Sequence, residues 1–260
     1  MFRLIIFSIF ILSSVILSAQ PARFIAKEKT STYTIGDRKI VVKVISFGKH
    51  TRTVLINLHH NENTSLEAAR QVLEQKGGLL IYIENDGERF IEFPQRGRFF
   101  KFDPNRMFSD AGIKMNLEAR DELSTADGIK TVKKFARSIR SKIPSSATAV
   151  IALHNNDDGN LTVASYLPGG DYAREASFVH QQKEHDPDNF FFTTDLLVYK
   201  KIRAAKYNVI LQHNKRATDD GSLSVYYGHR KARYINVEAE LGQLEQQQQM
   251  LNTLFNLLRK

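Results

Sequence analysis

The sequence contains no cysteine, which excludes disulfide bonds and thiolate zinc ligands. Any metal site must therefore use His, Asp or Glu side chains. The sequence also lacks internal repeats and a Pro/Ser-rich linker, and its one low-complexity tract, Gln246–Gln249, falls inside a helical pattern. With 260 residues, 42% of them hydrophobic, the chain can bury a sizeable core. We predict a single domain from about residue 22 to the end.

Only one run in the sequence approaches membrane length, at residues 1–19. There a single Arg3 precedes an apolar stretch that ends in Ser18-Ala19. This pattern is typical of a secretory signal peptide cut after Ala19, and it predicts a secreted or periplasmic protein. The alternative is a retained N-terminal anchor, but the run is short for a spanning helix. After cleavage we expect no stable membrane insertion.

The charge balance is strongly basic, with a formal net charge of +9. Such a balance suits anionic partners: nucleic acid, acidic lipid, a polyanionic wall polymer or a carboxylate substrate. A merely basic, soluble surface is the alternative. The basic residues are scattered and no nucleic-acid-binding motif accompanies them, so we predict no nucleic-acid partner.

Strand-like runs alternate with helical ones along the chain. Strands are predicted at Lys39–Phe47, Thr53–Leu58, Leu79–Glu84, Arg89–Phe93, Thr148–Leu153, Asn208–Gln212 and Arg233–Glu240. Helices are predicted at Thr64–Lys76, over most of Leu117–Lys142, at Asp195–Tyr207 and at Leu244–Leu258. A capping box of Thr64 and Glu67 is expected to open the first helix. The alternation predicts an α/β fold with a mixed, largely parallel sheet flanked by helices.

Two histidines and a glutamate suggest a metal site. His59 directly follows the run TVLINL, Glu62 comes three residues later, and His154 directly follows TAVIAL. Ligands in open α/β sheets bind beyond the carboxyl ends of the strands, where both histidines are expected. Three such protein ligands leave a position open for water on a catalytic zinc. Another divalent ion is the alternative, and His60 is interpreted as a neighbour, not a ligand.

Two glutamates on the strand Arg233–Glu240 are candidates for a general base. Glu238 and Glu240 lie two residues apart and so share one face of the strand. Burial and a nearby metal could tune the pKa of one of them for proton transfer. Glu238 is preferred because an apolar stretch runs straight into it, and Glu240 is the reserve candidate.

An Asn-Arg pair at Asn105-Arg106 follows a stretch rich in Arg and Phe. The planar guanidinium of arginine matches a carboxylate bidentately, so the pair could grip an anionic substrate group. A basic loop whose aromatic residues merely pack is equally compatible with the residues.

The ordered motifs resemble the zinc carboxypeptidase superfamily, which includes the metallocarboxypeptidases and the aspartoacylase/succinylglutamate desuccinylase branch. His59-His60-Asn61-Glu62 is similar to the His-Gly-Asn-Glu of that branch, with His60 in place of Gly. Residues 98–106 (RFFKFDPNR) resemble its Arg-(x)4-Asp-x-Asn-Arg segment, and Leu153-His154-Asn155 resembles its Asp-Leu-His-Asn strand end. The resemblance spans roughly residues 53–242.

The resemblance implies a three-layer sandwich fold in which one Zn2+ per chain is bound by His59, Glu62 and His154. It further implies that Glu238 activates water. The substrate carboxylate or a developing oxyanion is expected to contact Arg98, Asn105 and Arg106. Metallocarboxypeptidases also use a loop tyrosine, for which Tyr226 and Tyr227 are candidates. Ala152 departs from the pattern, because it stands where the branch usually has an aspartate.

Two functions follow as hypotheses. The first is an exported zinc amide hydrolase, carboxypeptidase- or deacylase-like, acting on a peptide or N-acyl amino acid with a free carboxylate. The second is a non-catalytic binding module of the same fold that grips an anionic peptide or wall polymer. All ligand and base positions are filled, which favours the hydrolase.

Overall fold

A nine-stranded mixed sheet forms the centre of the protein in a computed structural model, which describes residues 23–49, 52–119 and 125–259. The predicted signal peptide at 1–19 lies outside the described residues and stays a prediction. The strands are β1 (Ala26–Ile35), β2 (Arg38–Phe47), β3 (Thr53–Asn57), β4 (Gly78–Glu84), β5 (Ile91–Gln95), β6 (Arg98–Phe102), β7 (Glu118–Ala119), β8 (Ala149–Asn156), β9 (Ala176–His180), β10 (Phe190–Thr193), β11 (Val209–Gln212) and β12 (Tyr234–Glu240). The helices are α1 (Asn63–Lys76), α2 (Asp110–Asn116), α3 (Thr125–Arg140), α4 (Leu196–Ala204), α5 (Leu223–His229) and α6 (Leu244–Arg259).

The large sheet has the strand order β1-β2-β4-β3-β8-β12-β10-β11-β9. Its centre, β4-β3-β8-β12, is entirely parallel, whereas β1, β2 and β9 join antiparallel at the two sides and β10 runs antiparallel to β12. The predicted fold class, an α/β protein with a mixed sheet that is largely parallel at its centre, is therefore confirmed. The parallel arrangement brings the carboxyl ends of β3, β8 and β12 to one edge.

Helices cover both faces of this sheet, giving three layers. Helices α1, α4 and α6 pack on one face, where alternate residues of the central strands form a core with Leu73, Ile202 and Leu251. On the other face, α3 and the second sheet (β5-β6-β7) enclose a core that includes Phe93 and Phe135. Since the central strands are buried on both faces, they read as continuous apolar runs.

Most of the predicted elements agree with the structure, and three differ in ways that matter for the site. The capping box at Thr64 is wrong: Glu62 is the N-cap residue of α1, and Thr64 accepts a hydrogen bond from the Gly242 amide instead. The strand predicted at Arg89–Phe93 is β5, which spans Ile91–Gln95 and belongs to the second sheet with β6. The helix predicted from Leu117 begins at Thr125, and Glu118–Ala119 forms the short strand β7.

The helices within the described ranges are short. None of them combines the length and apolar character that crossing a membrane requires.

Candidate metal centre and active site

The three predicted metal ligands meet at the carboxyl edge of the parallel strands. His59 lies two residues beyond β3, and Glu62 occupies the N-cap position of α1. His154 lies inside β8, which extends three residues further than predicted. The turn between β3 and α1 is closed by a hydrogen bond from the Glu62 amide to the His59 carbonyl, at 3.1 Å. This turn brings the side chains of His59 and Glu62, which are three residues apart in sequence, into contact.

The ligand atoms face one another within a buried cluster. His59 Nδ1 lies 2.8 Å from Glu62 Oε1, and His154 Nδ1 lies 2.9 Å from Glu62 Oε2. One donor atom from each of the three residues falls within 4.8 Å of the others, and all three side chains are buried. Two imidazole nitrogens and a carboxylate form the donor set that catalytic zinc prefers, so the residues present fit this ion.

A second carboxylate holds the far side of His59. Asp103 Oδ1 lies 2.7 Å from His59 Nε2, and Asp103 also accepts a hydrogen bond from the Asn105 amide at 2.7 Å. A proton on Nε2, donated to Asp103, leaves the Nδ1 lone pair for a metal. Carboxylates that hold a ligand histidine in this way fix its tautomer and raise its basicity.

The charges of this cluster shift one another's pKa values. Burial alone would lower the pKa of His59, but the carboxylates of Glu62 and Asp103 outweigh it and raise that pKa to about 9. Burial alone would raise the pKa values of both carboxyl groups, yet the imidazoles hold them well below their usual range. The cluster therefore favours two negatively charged carboxylates in contact with a buried, positively charged imidazole.

His154 has a different second partner. Its Nε2 faces the side-chain amide of Asn105 at 3.5 Å, not a carboxylate. Ala152, which stands where the resembled branch has an aspartate, lies buried in the core beneath the site.

A buried polar network fixes the backbone around the ligands. The Gln247 amide of α6 donates to the His154 carbonyl at 3.1 Å and accepts from Asn155 at 2.7 Å. Asn155 accepts from the Ser65 amide, and Asn57 donates to the Ser65 hydroxyl at 3.0 Å. These four side chains tie β3, α1, β8 and α6 together directly behind the metal ligands.

Glu238 lies beside this cluster on the neighbouring strand. It is the register partner of His154 in the β8–β12 pair, it is 7% exposed, and it lines a cavity of about 400 Å³ that His154 also lines. Burial raises the pKa of Glu238. Its Oε1 accepts a hydrogen bond from the Asn236 amide at 2.9 Å.

Glu240, the reserve candidate, does not line this cavity. It is the register partner of Asn156 at the strand end, where its carboxylate accepts from Gln243 at 3.2 Å. The structure therefore favours Glu238 as the residue that faces the cavity.

The predicted Asn-Arg pair contributes to the cavity wall. Asn105 and Arg106 belong to a short 3-10 helix, Pro104–Arg106, that Asp103 caps. The Asn105 side-chain oxygen accepts from the Leu223 amide at 3.3 Å, while the Arg106 guanidinium lies 3.4 Å from Asp220. This ion pair holds the Arg106 side chain in the cavity wall and leaves the cavity open.

Arg98 is not brought to the site. It is the exposed first residue of β6, at the hairpin with β5, and it does not line the cavity. Because a strand rises about 3.3 Å per residue, Arg98 lies roughly 13 Å along β6 from Phe102, the last residue of that strand. The structure thus places Arg98 outside the cavity, and the substrate-binding role that the resemblance gave it stays a prediction.

Arg89, unlike Arg98, reaches the cavity. Its guanidinium lies 2.7 Å from Glu62 Oε1 and 3.5 Å from Asp103 Oδ2, and it lines the cavity. His60 helps to hold the loop that carries it, since its Nδ1 accepts hydrogen bonds from the Asn85 and Gly87 amides. His60 is therefore a structural neighbour, as predicted, whereas no sequence signal singled out Arg89.

The candidate loop tyrosines also lie elsewhere. Tyr226 and Tyr227 belong to α5 and do not line the cavity. The Tyr226 hydroxyl instead accepts a hydrogen bond from Arg140 at 2.9 Å. Tyr166 and Tyr172 line the cavity instead. Tyr166 ends a short 3-10 helix, Val163–Tyr166, and Tyr172 precedes a second one, Ala173–Glu175. Helices of three or four residues are too short to show a hydrophobic periodicity, so these tyrosines were not predicted.

No family model and no curated protein sequence matches the chain. Among solved structures, an aspartoacylase family protein of Mesorhizobium loti is 13% identical, with a TM-score of 0.48 over 93% of this chain and 69% of that one. A succinylglutamate desuccinylase/aspartoacylase of Rhodobacter sphaeroides is 11% identical, with a TM-score of 0.46 over 94% and 68%. A candidate metallopeptidase of Shewanella denitrificans is 12% identical, with a TM-score of 0.43 over 88% and 82%.

Proposed function

We propose that this protein is a zinc-dependent amide hydrolase that cleaves a peptide or N-acyl amino acid bearing a free carboxylate. The proposal rests on one observation: a candidate set of metal ligands and a candidate general base lie at the same cavity. His59, Glu62 and His154 offer a buried donor set, and Glu238 lies on the strand next to His154 with its carboxyl group at the same cavity.

His59, Glu62 and His154 would hold the ion, through the two Nδ1 atoms and the carboxylate. Zinc in such a site supplies Lewis-acid chemistry, by which water is activated and a carbonyl group polarised. Asp103 keeps His59 in the required tautomer by accepting its Nε2 proton.

Glu238 is the general base. Its carboxylate accepts a proton from the attacking water and passes that proton to the leaving amine. The burial that raises the pKa of Glu238 suits this exchange, because a base works best when its pKa approaches the working pH. Asn236 holds one carboxylate oxygen and so fixes the direction of the other.

Two guanidinium groups bind the substrate's negative charges. Arg106, together with Asn105, receives the free carboxylate of the substrate. Arg89, which lies against the metal ligand Glu62, donates to the carbonyl oxygen as it gains charge. Both arginines line the cavity that Glu238 faces.

Export completes the proposal and rests on the sequence alone. The apolar segment at residues 1–19 would direct the chain to the periplasm or the outside of the cell, where wall-derived peptides are candidate substrates.

The first experiment measures the zinc content of the purified mature protein by elemental analysis, for wild type beside His154→Ala. We expect close to one zinc per chain in wild type and loss in the variant. A panel of peptides and N-acyl amino acids with free carboxylates then tests for amide cleavage by the zinc-loaded wild type. Absence of zinc from wild type even after reconstitution would overturn the hydrolase and favour the binding module.

A further inference from the structure

A second cavity opens at the edge of the sheet opposite the metal centre, and we call it the amino-edge cavity. It has a volume of about 260 Å³ and is lined by Ala149 and Val150 at the start of β8. His154 lies five residues beyond Ala149 on the same strand. Since a strand rises about 3.3 Å per residue, roughly 16 Å separates this cavity from the metal ligands. A group bound here therefore does not contact the candidate metal ligands.

The charged side chains that line the amino-edge cavity within the described residues are all arginines. They are Arg140 at the end of α3, Arg230 directly after α5 and Arg233 directly before β12. The active-site cavity is different, because four carboxylates line it together with two arginines. The amino-edge cavity therefore has a strongly positive wall, with no acidic side chain of the described ranges to balance it.

The positive charge continues into a smaller cavity of about 190 Å³, which also has Arg233 in its wall. Three further cations line this smaller cavity, at Arg52, Lys76 and Arg259, and among the described residues it too has no carboxylate in its wall. A cleft whose walls carry one sign of charge concentrates ions of the opposite sign. This edge of the sheet therefore attracts anions.

Arg140 and Arg230 contact the same side chain, Tyr226. The guanidinium carbon of Arg230 lies 3.7 Å from the centre of the Tyr226 ring, and that of Arg140 lies 4.9 Å from it. Arg140 also donates to the Tyr226 hydroxyl at 2.9 Å, and Arg230 donates to the Tyr226 carbonyl at 3.1 Å. In the part of the chain that the structure describes, neither arginine pairs with a carboxylate. Two like charges thus lie close together without a counter-charge, and a bound anion would relieve their repulsion.

One donor of Arg140, its Nε, is buried without a hydrogen-bond partner among the described residues. A cation at a helix C-terminus is favourable in itself, which accounts for an arginine at the end of α3. That interaction leaves the Nε–H unsatisfied, however, and buried polar atoms nearly always have a partner. An anion that enters the cavity can accept from Nε after a small shift of the side chain.

Arg233 is held in place from outside the cavity. Asp195 accepts a hydrogen bond from the Nε of Arg233 at 2.9 Å, and Asp195 lines neither of the two cavities. Within the described residues, the two terminal nitrogens of Arg233 make no hydrogen bond. Their N–H groups are therefore available to a ligand, while the ion pair fixes the plane of the guanidinium.

These donors suit a phosphate monoester better than a carboxylate. Guanidinium groups match the oxygens of either anion with pairs of N–H donors. A carboxylate carries one charge, whereas a phosphate monoester carries about −1.5 to −2 at pH 7 and has three strong acceptor oxygens. Three arginines around one space can use all three oxygens. The cavity volume of about 260 Å³ is also below the roughly 300–1,000 Å³ of clefts that enclose drug-sized ligands, which favours a small anionic group.

We propose that the amino-edge cavity binds a phosphoryl group through Arg140, Arg230 and Arg233. The group belongs either to a soluble phosphate monoester or to the headgroup of phosphatidic acid, since both present the same three oxygens. The proposal does not depend on the hydrolase function, because this cavity lies at the opposite edge of the sheet from Glu238 and the metal ligands.

The soluble arm of the test titrates the purified protein with glycerol 1-phosphate by calorimetry, at about 0.15 M salt so that diffuse surface attraction is screened. We expect saturable binding that becomes at least about tenfold weaker in Arg140→Gln and in Arg230→Gln, since each variant loses a hydrogen bond to a charged group. Arg230 is exposed, so its variant keeps the test valid if loss of the Arg140–Tyr226 contact unfolds the other.

Arg137→Gln is the matched control, because it removes the same charge from an exposed position of α3 outside the cavity. Its affinity for glycerol 1-phosphate should stay within about twofold of wild type, since exposed charges contribute little at this salt concentration.

The lipid arm measures sedimentation of the protein with phosphatidylcholine vesicles that do or do not contain phosphatidic acid. Binding that requires phosphatidic acid and is lost in Arg140→Gln and Arg230→Gln, without binding of glycerol 1-phosphate, would assign the site to a lipid headgroup. The reverse result would assign it to a soluble ester, and loss in both arms would support a site that accepts either form.

Absence of binding to wild type in both arms would overturn the proposal. Binding that Arg137→Gln weakens as much as the two cavity variants do would also overturn it, because such binding reflects diffuse attraction to a basic surface. Binding that stays unchanged in Arg140→Gln and Arg230→Gln would place the anion at another site, such as the arginines of the active-site cavity, and would equally overturn the proposal.

Discussion

Glu238 and His154 are register partners on adjacent parallel strands, β12 and β8. Neighbouring strands lie about 4.8 Å apart, so the backbone itself fixes the distance between the candidate base and a candidate metal ligand. Neither residue sits on a flexible loop, and both side chains are buried. Sites built on strands hold their geometry more closely than sites built on loops.

Substitution of the base should separate catalysis from metal binding. We expect Glu238→Gln to lower kcat by about 10²–10⁴-fold, since the amide cannot accept a proton, while zinc content stays near that of wild type. Glu240→Gln is the matched control, because Glu240 lies two residues on at the strand end and does not line the cavity. Steady-state kinetics and elemental analysis check both variants. A loss of activity in Glu240→Gln with activity kept in Glu238→Gln would reverse the assignment.

Arg89 and Arg98 offer a second matched pair. Arg89→Gln should reduce kcat/KM by about 10²–10³-fold, the usual effect of removing a donor to a developing oxyanion. Arg98→Gln should change kcat/KM by less than about threefold, since Arg98 is exposed on β6 and outside the cavity. Equal losses of kcat/KM in the two variants would show that Arg98 takes part in the reaction as the motif predicts, although it lies outside the cavity in the structure.

Asp103 should act on the metal through His59. Asp103→Asn keeps the shape of the side chain but weakens its hold on the His59 Nε2 proton. We expect zinc affinity, measured by competition with a chelator, to fall about 10–100-fold. Asp110→Asn removes an exposed carboxylate paired with Lys133 and serves as the control for net charge. An affinity unchanged in Asp103→Asn would show that Asp103 is not needed to orient the ligand.

The candidate metal cluster could be located from sequence because its residues follow apolar runs. The strand runs before His59 and His154 place both histidines at one edge of a parallel sheet, whatever the rest of the chain does. Glu238 was likewise marked by the apolar stretch that leads into it. The details of these ends were less predictable: β8 continues past His154, and the N-cap of α1 is Glu62, whose side chain faces the cluster instead of capping the helix.

Other residues of the cavity could not be predicted in the same way. Arg98 matches a motif, but the extended backbone of β6 carries it away, and Arg89 reaches the site from a loop held by His60. Tyr166 and Tyr172 lie at the ends of two short 3-10 helices, whose path depends on tertiary contacts. Local sequence patterns predict helices, strands and turns. They do not predict which side chains a loop brings to a site from a distant part of the sequence.

The wall of the cavity depends on a close approach of two glycines. A Cβ added at Gly112 in α2 would lie 2.1 Å from the Cα of Gly221, whose neighbours Asp220 and Ser222 line the cavity. Since this contact is with backbone, no side-chain rotation relieves it. We expect Gly112→Ala to lower the free energy of unfolding by about 1–3 kcal/mol in urea titrations. The neighbouring exposed substitution Ala111→Ser should stay within about 0.5 kcal/mol of wild type. Equal stability of the two variants would show that the loop can move aside at little cost.

The pH dependence of stability should carry the signature of Asp195. This residue caps α4 by accepting from the Leu197 and Val198 amides, and its other oxygen accepts from Arg233 at 2.9 Å. Burial alone would raise the pKa of Asp195, but these hydrogen bonds and the arginine charge hold it below its ordinary value. The unfolded chain therefore takes up a proton at a higher pH than the folded protein does. The stabilisation from this carboxylate is complete above about pH 5 and is lost as the pH falls through the folded-state pKa.

Asp195→Asn isolates that contribution, because asparagine caps a helix about as well as aspartate and removes only the charge. At pH 7 we expect the variant to be less stable than wild type by about 1 kcal/mol, a value kept small because the ion pair with Arg233 is partly exposed. Below the folded-state pKa wild type also carries a neutral side chain, so the difference should shrink towards zero. Urea titrations of both proteins between pH 7 and pH 3 measure it. A difference that stays constant over this range would mean that the cap geometry, and not the charge of Asp195, stabilises α4.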